Sequence, residues 1–322
     1  MTIDPRWYSA GALRCSPQLL LSLVVLSTAA ACSGARSRPA TPCMSDAECR
    51  AERICHEGKC RFVEEVLAEL ATPVVGPDVA ESGGAPRSAN GFMGDAAHTG
   101  RSENRGPSSS PSLAWTYQTG ARVFASPVVG NDGTIYIGSL DGQFVALNAD
   151  GSLKWRYAAG HKIYPSALVA GSSISFGTHQ RELVSLSLQG QPRWKLPLED
   201  VVDASATLGP DGRVYVVANG AYAVDLLGRL HWHKPTADHV RSAPAIHPAR
   251  LLIIGTTEGS LIALRPDGSL AWSVQLRGAI EGAASVDDDG YIYTGTGRGE
   301  VVQIDQTGAV HWKFKTGDEV RA

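Results

Sequence analysis

The chain has 322 residues, 43% of them hydrophobic and 19% charged, with a formal net charge of −3. That balance lacks the basic excess of a nucleic-acid-binding domain and argues against such a partner. The one strongly apolar stretch near the start, Leu19 to Leu26, is too short to span a bilayer.

Residues 1–31 read as an export signal. Arg6 and Arg14 make a weakly positive start, Leu19 to Leu26 an apolar core, and Ala29-Ala30-Ala31 a small-residue cleavage site. Cys32 follows, where a bacterial lipoprotein carries its lipid. Ala29 stands where lipoprotein signals usually have Leu, so ordinary signal peptidase is the competing reading of the same bond. Cysteine arithmetic favours the lipid. Cys15 leaves with the signal, Cys43, Cys49, Cys55 and Cys60 can form two disulfides, and Cys32 is left odd. Several acyl chains, at about 0.8 kcal/mol per buried methylene, give lasting attachment. Ser33, the second mature residue, resembles lipoproteins sent to the outer membrane.

Residues 32–42 then form a lipid-anchored tether, and 43–61 a module stapled by Cys43, Cys49, Cys55 and Cys60. So short a segment has no core of its own, and an exported chain favours disulfides. Zinc is the competing reading, but Cys-x-x-Cys knuckles are absent. The pairing stays open among three connectivities. A short helix and linker fill 62–90. Arg61–Leu70 is the helix, with Val63, Val66, Leu67 and Leu70 on one face, and Thr72–Asn90 is rich in Pro, Gly and Ser, as a flexible tether is.

From there the chain repeats. Trp115, Trp155, Trp194, Trp232, Trp272 and Trp312 lie 40, 39, 38, 40 and 40 residues apart, the period of a repeat architecture. Gly151, Gly190, Gly228, Gly268 and Gly308 each stand four residues before a Trp. Within a period, β-rich runs such as Ile135–Ile137 and Phe144–Leu147 are separated by Asp-Gly turns such as Asp141-Gly142. Asp-Gly between apolar runs is a hairpin signal, because Gly accepts positive φ and Asp tolerates it. Four short strands per ~40 residues predict an all-β propeller with four-stranded blades over 91–322. No helical periodicity appears after 115. Each indole is expected to fill the wedge between sheets. The basic residues beside it, such as Lys154, Arg156, Arg193 and Lys195, are expected to guard an outer strand from stray pairing.

The run Ser126-Pro127-Val128-Val129, then Gly133–Ser139, Asp141-Gly142 and Ala146–Trp155, resembles the PQQ-like (quinoprotein-like) propeller family, which includes a lipoprotein of the outer-membrane β-barrel assembly machinery. Gly94–Arg101 is similar to the segment preceding such propellers. The resemblance covers roughly 91–322 and departs in the third repeat, where Val217 replaces the usual Gly and Asn219–Val224 is shortened. Five full repeats plus ten residues after Trp312 fall short of the ring usual for the family. The expectation is a truncated sequence forming an open arc, with an apolar final face; closure by N-terminal residues is the alternative.

The resemblance also implies a test for pyrroloquinoline quinone with calcium. Family dehydrogenases carry adjacent cysteines near the quinone and a carboxylate base beside the ion. This chain has no cysteine after Cys60, and its Asp residues sit mostly in turns. No catalytic, cofactor-binding or metal residue is therefore assigned, and no cofactor is expected. His231, His233, His239 and His247 are close in sequence, with His231 and His233 placed on one side of a strand. A polar outer-strand role accounts for them better than a metal. Asp287-Asp288-Asp289-Gly290 lacks the alternating ligands and distant Glu of a calcium loop and reads as a turn.

The residue nine after each Trp varies while its framework repeats. These are Phe124, Tyr164, Asp203, Arg241, Glu281 and Arg321, expected to ring one mouth of a central channel. Variation on a fixed scaffold suits partner binding. Solvated loop residues are the competing reading. Together these features favour a non-catalytic, lipid-anchored scaffold for protein or peptide partners in the bacterial envelope, at the outer membrane or cell surface. The alternatives are a quinone-dependent oxidoreductase or its degenerate relative, and a surface sensor or adhesion module. Replacing Cys32 with Ser should move the protein from the membrane to the soluble fraction; unchanged membrane association on fractionation would overturn the anchor.

Overall fold

The computed structural model describes residues 53–56, 59–62, 91–101, 106 and 108–321. Of its two compact units, Met1–Pro42 lies wholly outside the described residues, so the signal peptide and Cys32 do too; Cys43–Ala322 holds everything that follows. Cys43, Cys49 and all of 63–90 are likewise outside them.

The first described element is an antiparallel hairpin, β1 (Arg53–His56) and β2 (Lys59–Phe62), with Cys55 directly opposite Cys60 in the backbone register. It corrects the start of the expected helix. Arg61 and Phe62 pair with Ile54 and Arg53 in the ladder, so their backbone is committed to a strand. Residues 63–70 lie outside the described set.

Residues 128–315 form five four-stranded antiparallel meanders. Blade one is β3 (Val128–Val129), β4 (Ile135–Gly138), β5 (Gln143–Leu147) and β6 (Leu153–Ala158). Blade two is β7 (Leu168–Ala170), β8 (Ser173–Thr178), β9 (Glu182–Ser187) and β10 (Pro192–Pro197). Blade three is β11 (Thr207–Leu208), β12 (Val214–Val217), β13 (Gly220–Val224) and β14 (Leu230–Pro235). Blade four is β15 (Ala245–Ile246), β16 (Leu252–Gly255), β17 (Ser260–Leu264) and β18 (Leu270–Gln275). Blade five is β19 (Ser285–Val286), β20 (Ile292–Thr296), β21 (Glu300–Ile304) and β22 (Val310–Lys315).

The core lies between blades, not within one. Strand alternation sends successive side chains to opposite faces. Leu252 and Ile254 of β16 therefore pack toward Tyr215 and Val217 of blade three, while Ile253 packs toward Val286 and Ile292 of blade five. Phe144 of blade one stacks on Phe176 of blade two with centroids 4.1 Å apart. A middle strand buried on both faces reads as a continuous apolar run, as Leu252-Ile253-Ile254 does.

The tryptophans tie each blade to the next. The Trp194 indole N–H donates to the Leu226 carbonyl at 2.9 Å. Its ring lies flat against Gly228 in the same turn, where a Cβ would fall 2.6 Å from the indole and φ is +85°. Only glycine fits both demands. The same pair of contacts recurs from Trp115 to Ala149 and Gly151, Trp155 to Leu188 and Gly190, Trp232 to Pro266 and Gly268, and Trp272 to Gln306 and Gly308. This sharpens the wedge expectation, because the indole is aimed at one turn of the neighbouring blade. Trp312 lies on the last strand and is 42% exposed, with Phe314 exposed on the same face.

What aims the indole is a bulge. In each blade the register slips just before the Trp: Leu147 pairs with Leu153 and Ala146 with Trp155, leaving Lys154 unpaired. Arg193, His231, Ala271 and His311 hold the same place. A bulge bends the outer strand and raises its twist. Flanking cations reach carboxylates of their own blade, as Lys154 does Asp132 at 2.9 Å and Lys195 does Glu182 at 3.2 Å. In blade three, Val217 is fully buried where Gly138, Gly177, Gly255 and Gly295 leave room for Ile163, Val202, Ile280 and Val320.

Trp194→Ala should destabilise the domain by about 3 kcal/mol, since it removes a large packed ring and leaves the Leu226 carbonyl unpaired. Trp312→Ala should cost under about 1 kcal/mol, because that indole is 42% exposed and, among the described residues, lies on no neighbouring turn. Urea unfolding of both variants measures the difference.

Candidate functional site at the channel mouth

Residues 91–101 supply the floor. This segment is not a strand, yet it docks on the innermost strands of two blades. Ile246 N–H donates to the Ala96 carbonyl at 2.7 Å, and Val286 N–H to the Ala97 carbonyl at 2.9 Å. Asp95 ties the turn together by accepting from the backbone N–H groups of Ala97 and Thr99 and from the Thr99 hydroxyl. Arg101 reaches Asp288 of blade five.

His98 is the pin. It is 2% exposed. Nδ1 faces the Ala284 carbonyl at 3.3 Å, which can only accept, so Nδ1 carries the proton. Nε2 then accepts from the Thr207 hydroxyl at 3.3 Å. Burial pushes the imidazole below its ordinary 6.5, against smaller opposing effects of the Ala284 bond and the Asp95 charge. The side chain thus joins blades three and five through the plug.

Above the floor opens a cavity of about 530 Å³. All six positions that follow a Trp by nine residues line it: Phe124, Tyr164, Asp203, Arg241, Glu281 and Arg321. The structure brings together the whole set that the repeat period singled out. The first five converge because each enters the innermost strand of its blade, and those strands line the axis.

The rim is a chain of contacts. Phe124 stacks on Tyr164 at 5.4 Å between centroids, and Tyr164 on His179 at 4.5 Å. His179 Nε2–H donates to Asp203 at 2.6 Å. Arg241 then lies 3.7 Å from Asp203 and 3.9 Å from Glu281, and Arg321 3.6 Å from Glu281 and 2.6 Å from Glu319. One side is aromatic and the other alternates in sign. These exposed pairs hold little energy and are easily rearranged.

His179 was not singled out from sequence. It occupies the turn between the second and third strands of its blade, where its N–H bonds the Lys162 carbonyl. Leu140, Thr257 and Gly297 make the same bond in blades one, four and five. Comparing that repeat position would have marked His179 as its single ring. Met93, 46% exposed, and His98 also line the cavity, from a segment with no periodic signal.

The other histidines do not converge. His247 is buried, donating from Nε2 to the Gly290 carbonyl at 2.8 Å and accepting the Ala249 N–H. His233 stacks on Tyr222 at 3.9 Å and faces Glu199, His231 reaches Asp225, and His239 reaches Asp200. The bulge at His231 breaks the alternation that would set it beside His233, correcting that expectation. Asp287–Gly290 is a turn closed by the Gly290 N–H on the Asp287 carbonyl. Among the described residues no three His, Cys, Asp or Glu side chains form a cation site. No helix among the described residues is long and apolar enough to cross a membrane.

Four-stranded sheets fanned about a plugged channel, with a variable mouth on a repeated frame, define a β-propeller of the PQQ-like class. The family described as "Outer membrane protein assembly factor BamB" matches residues 108–266 and 257–322, and the chain belongs to that family. Among solved structures, BamB from Moraxella catarrhalis is 22% identical with a TM-score of 0.52, over 59% of this chain and 64% of that one. Quinohemoprotein alcohol dehydrogenase from Comamonas testosteroni is 16% identical with a TM-score of 0.62, over 78% and 52%. At these identities the likeness is one of fold, and the chain spans less than two thirds of either protein. No curated protein sequence matches.

The folded state resists the proton that the unfolded chain accepts at His98 near pH 6.5. The stability it contributes is therefore complete above that pH and lost as the pH falls below it. Thermal unfolding between pH 7.5 and 5 should show a drop in midpoint that is smaller in His98→Gln.

Proposed function

We propose that this protein is a non-catalytic envelope scaffold that binds protein or peptide partners at the channel mouth. The observation that carries the reading is the convergence of six variable residues on one cavity while everything around them repeats. Variable side chains on a rigid frame are how loop surfaces acquire partners. Membership of a family named for outer-membrane protein assembly supports an envelope setting, and the expected Cys32 lipid would hold the propeller at the membrane.

The quinone-enzyme reading is favoured by the fold of the alcohol dehydrogenase. The residues at this mouth do not fit a calcium-bound quinone. Asp203 is engaged by His179, Glu281 lies between two guanidinium groups, and no cysteine follows Cys60. Fold alone does not carry the activity.

A photoreactive amino acid at Phe124 or Tyr164 in intact cells should crosslink to an envelope protein identifiable by mass spectrometry. The same probe at Leu230, on an outer strand, should not. Equal capture at both places overturns the mouth as the binding surface. Quinone absorbance and dehydrogenase activity after reconstitution with pyrroloquinoline quinone and calcium would restore the enzyme reading.

A further inference from the structure

We propose that the mouth selects an extended, uncharged peptide segment by one aromatic side chain, a specificity that deepens the partner-binding reading and rests on it. Three observations define the occupant. First, Phe124 is 60% exposed and lines the cavity, with one ring, Tyr164, stacked on it. Tyr164 is in turn backed by His179, so the shelf is held in place before anything binds. Met93, on the plug, lines the same cavity and adds a polarisable thioether to an aromatic site. An incoming ring extends this stack in the offset geometry that aromatic pairs prefer.

Second, Arg241 and Glu281 are adjacent at 3.9 Å, and neither side chain makes a hydrogen bond among the described residues. A guanidinium offers only donors and a carboxylate only acceptors. Side by side they match a peptide unit, whose carbonyl takes the Arg241 donors and whose N–H meets the Glu281 carboxylate.

Third, the charges lining the cavity cancel. Asp203 and Glu281 flank Arg241, and Arg321 flanks Glu281. A free anion at Arg241 meets two carboxylates, and a free cation at Glu281 meets two guanidiniums. The neutral main chain meets neither repulsion. A volume of about 530 Å³ suits a few residues rather than a folded domain.

The test uses the full chain and a pentapeptide capped at both ends, with one phenylalanine among glycines and serines. Saturation-transfer NMR should show transfer to the phenyl protons, and at least tenfold less for the matching alanine peptide. Phe124→Ala should abolish this discrimination, while Phe124→Tyr retains it. Arg241→Gln combined with Glu281→Gln should weaken binding of the peptide at least fivefold without removing its preference for the ring. Equal signals from the two peptides, or none from either at millimolar concentration, overturn the proposal. So does displacement by 3-phenylpropionate at a tenfold lower concentration than the capped peptide, which would mark an anion site. Crosslinking from Phe124 in cells together with a failed peptide preference would leave partner binding standing and remove only the aromatic selectivity.

Discussion

Each blade depends on its neighbour through one contact, an indole lying on a glycine. An isolated four-stranded meander has two apolar faces and no way to cover either. Val216 and Tyr215, adjacent on β12, pack into different inter-blade cores. The Trp-to-turn contact fixes how far apart and at what angle those faces meet. Its hydrogen bond holds the indole in plane, and its missing Cβ sets the distance. Stability in such an arrangement is a sum over neighbours, so the domain is quasi-one-dimensional.

That constraint explains why the mouth is free to vary. Packing is settled at the outer strands and between sheets, well away from the residues that enter each innermost strand. Phe124, Asp203 and Arg241 can therefore differ in size and charge without disturbing an inter-blade core. The plug adds a second tie. By bonding Ile246 and Val286 and burying His98 against Ala284 and Thr207, it closes the floor and gives the cavity depth.

Electrostatics divides the rim into two kinds of surface. The aromatic side is pre-stacked and offers area. The ionic side offers donors and acceptors in alternation, with contacts loose enough to be exchanged. A ligand that uses both needs apolar area and a neutral polar backbone, which is a description of peptide more than of an organic acid.

The tryptophan period, the Asp-Gly turns and the β-rich runs were enough to give the blade count, four strands to a blade and the six rim positions. They are repeated local patterns, and repetition makes weak local signals additive. Three things lay beyond that reach. The bulges before each Trp depend on how an outer strand meets its neighbour. His179, Met93 and His98 join the site from turns or from an unpatterned segment, brought there by distance in space and not by spacing in the chain. The plug belongs to the same group, because its backbone bonds to strands about 150 to 190 residues away. Sequence determined the repeated frame through local hydrogen bonding and strand alternation; only the tertiary structure decided what fills the axis, because those contacts form after the blades have met.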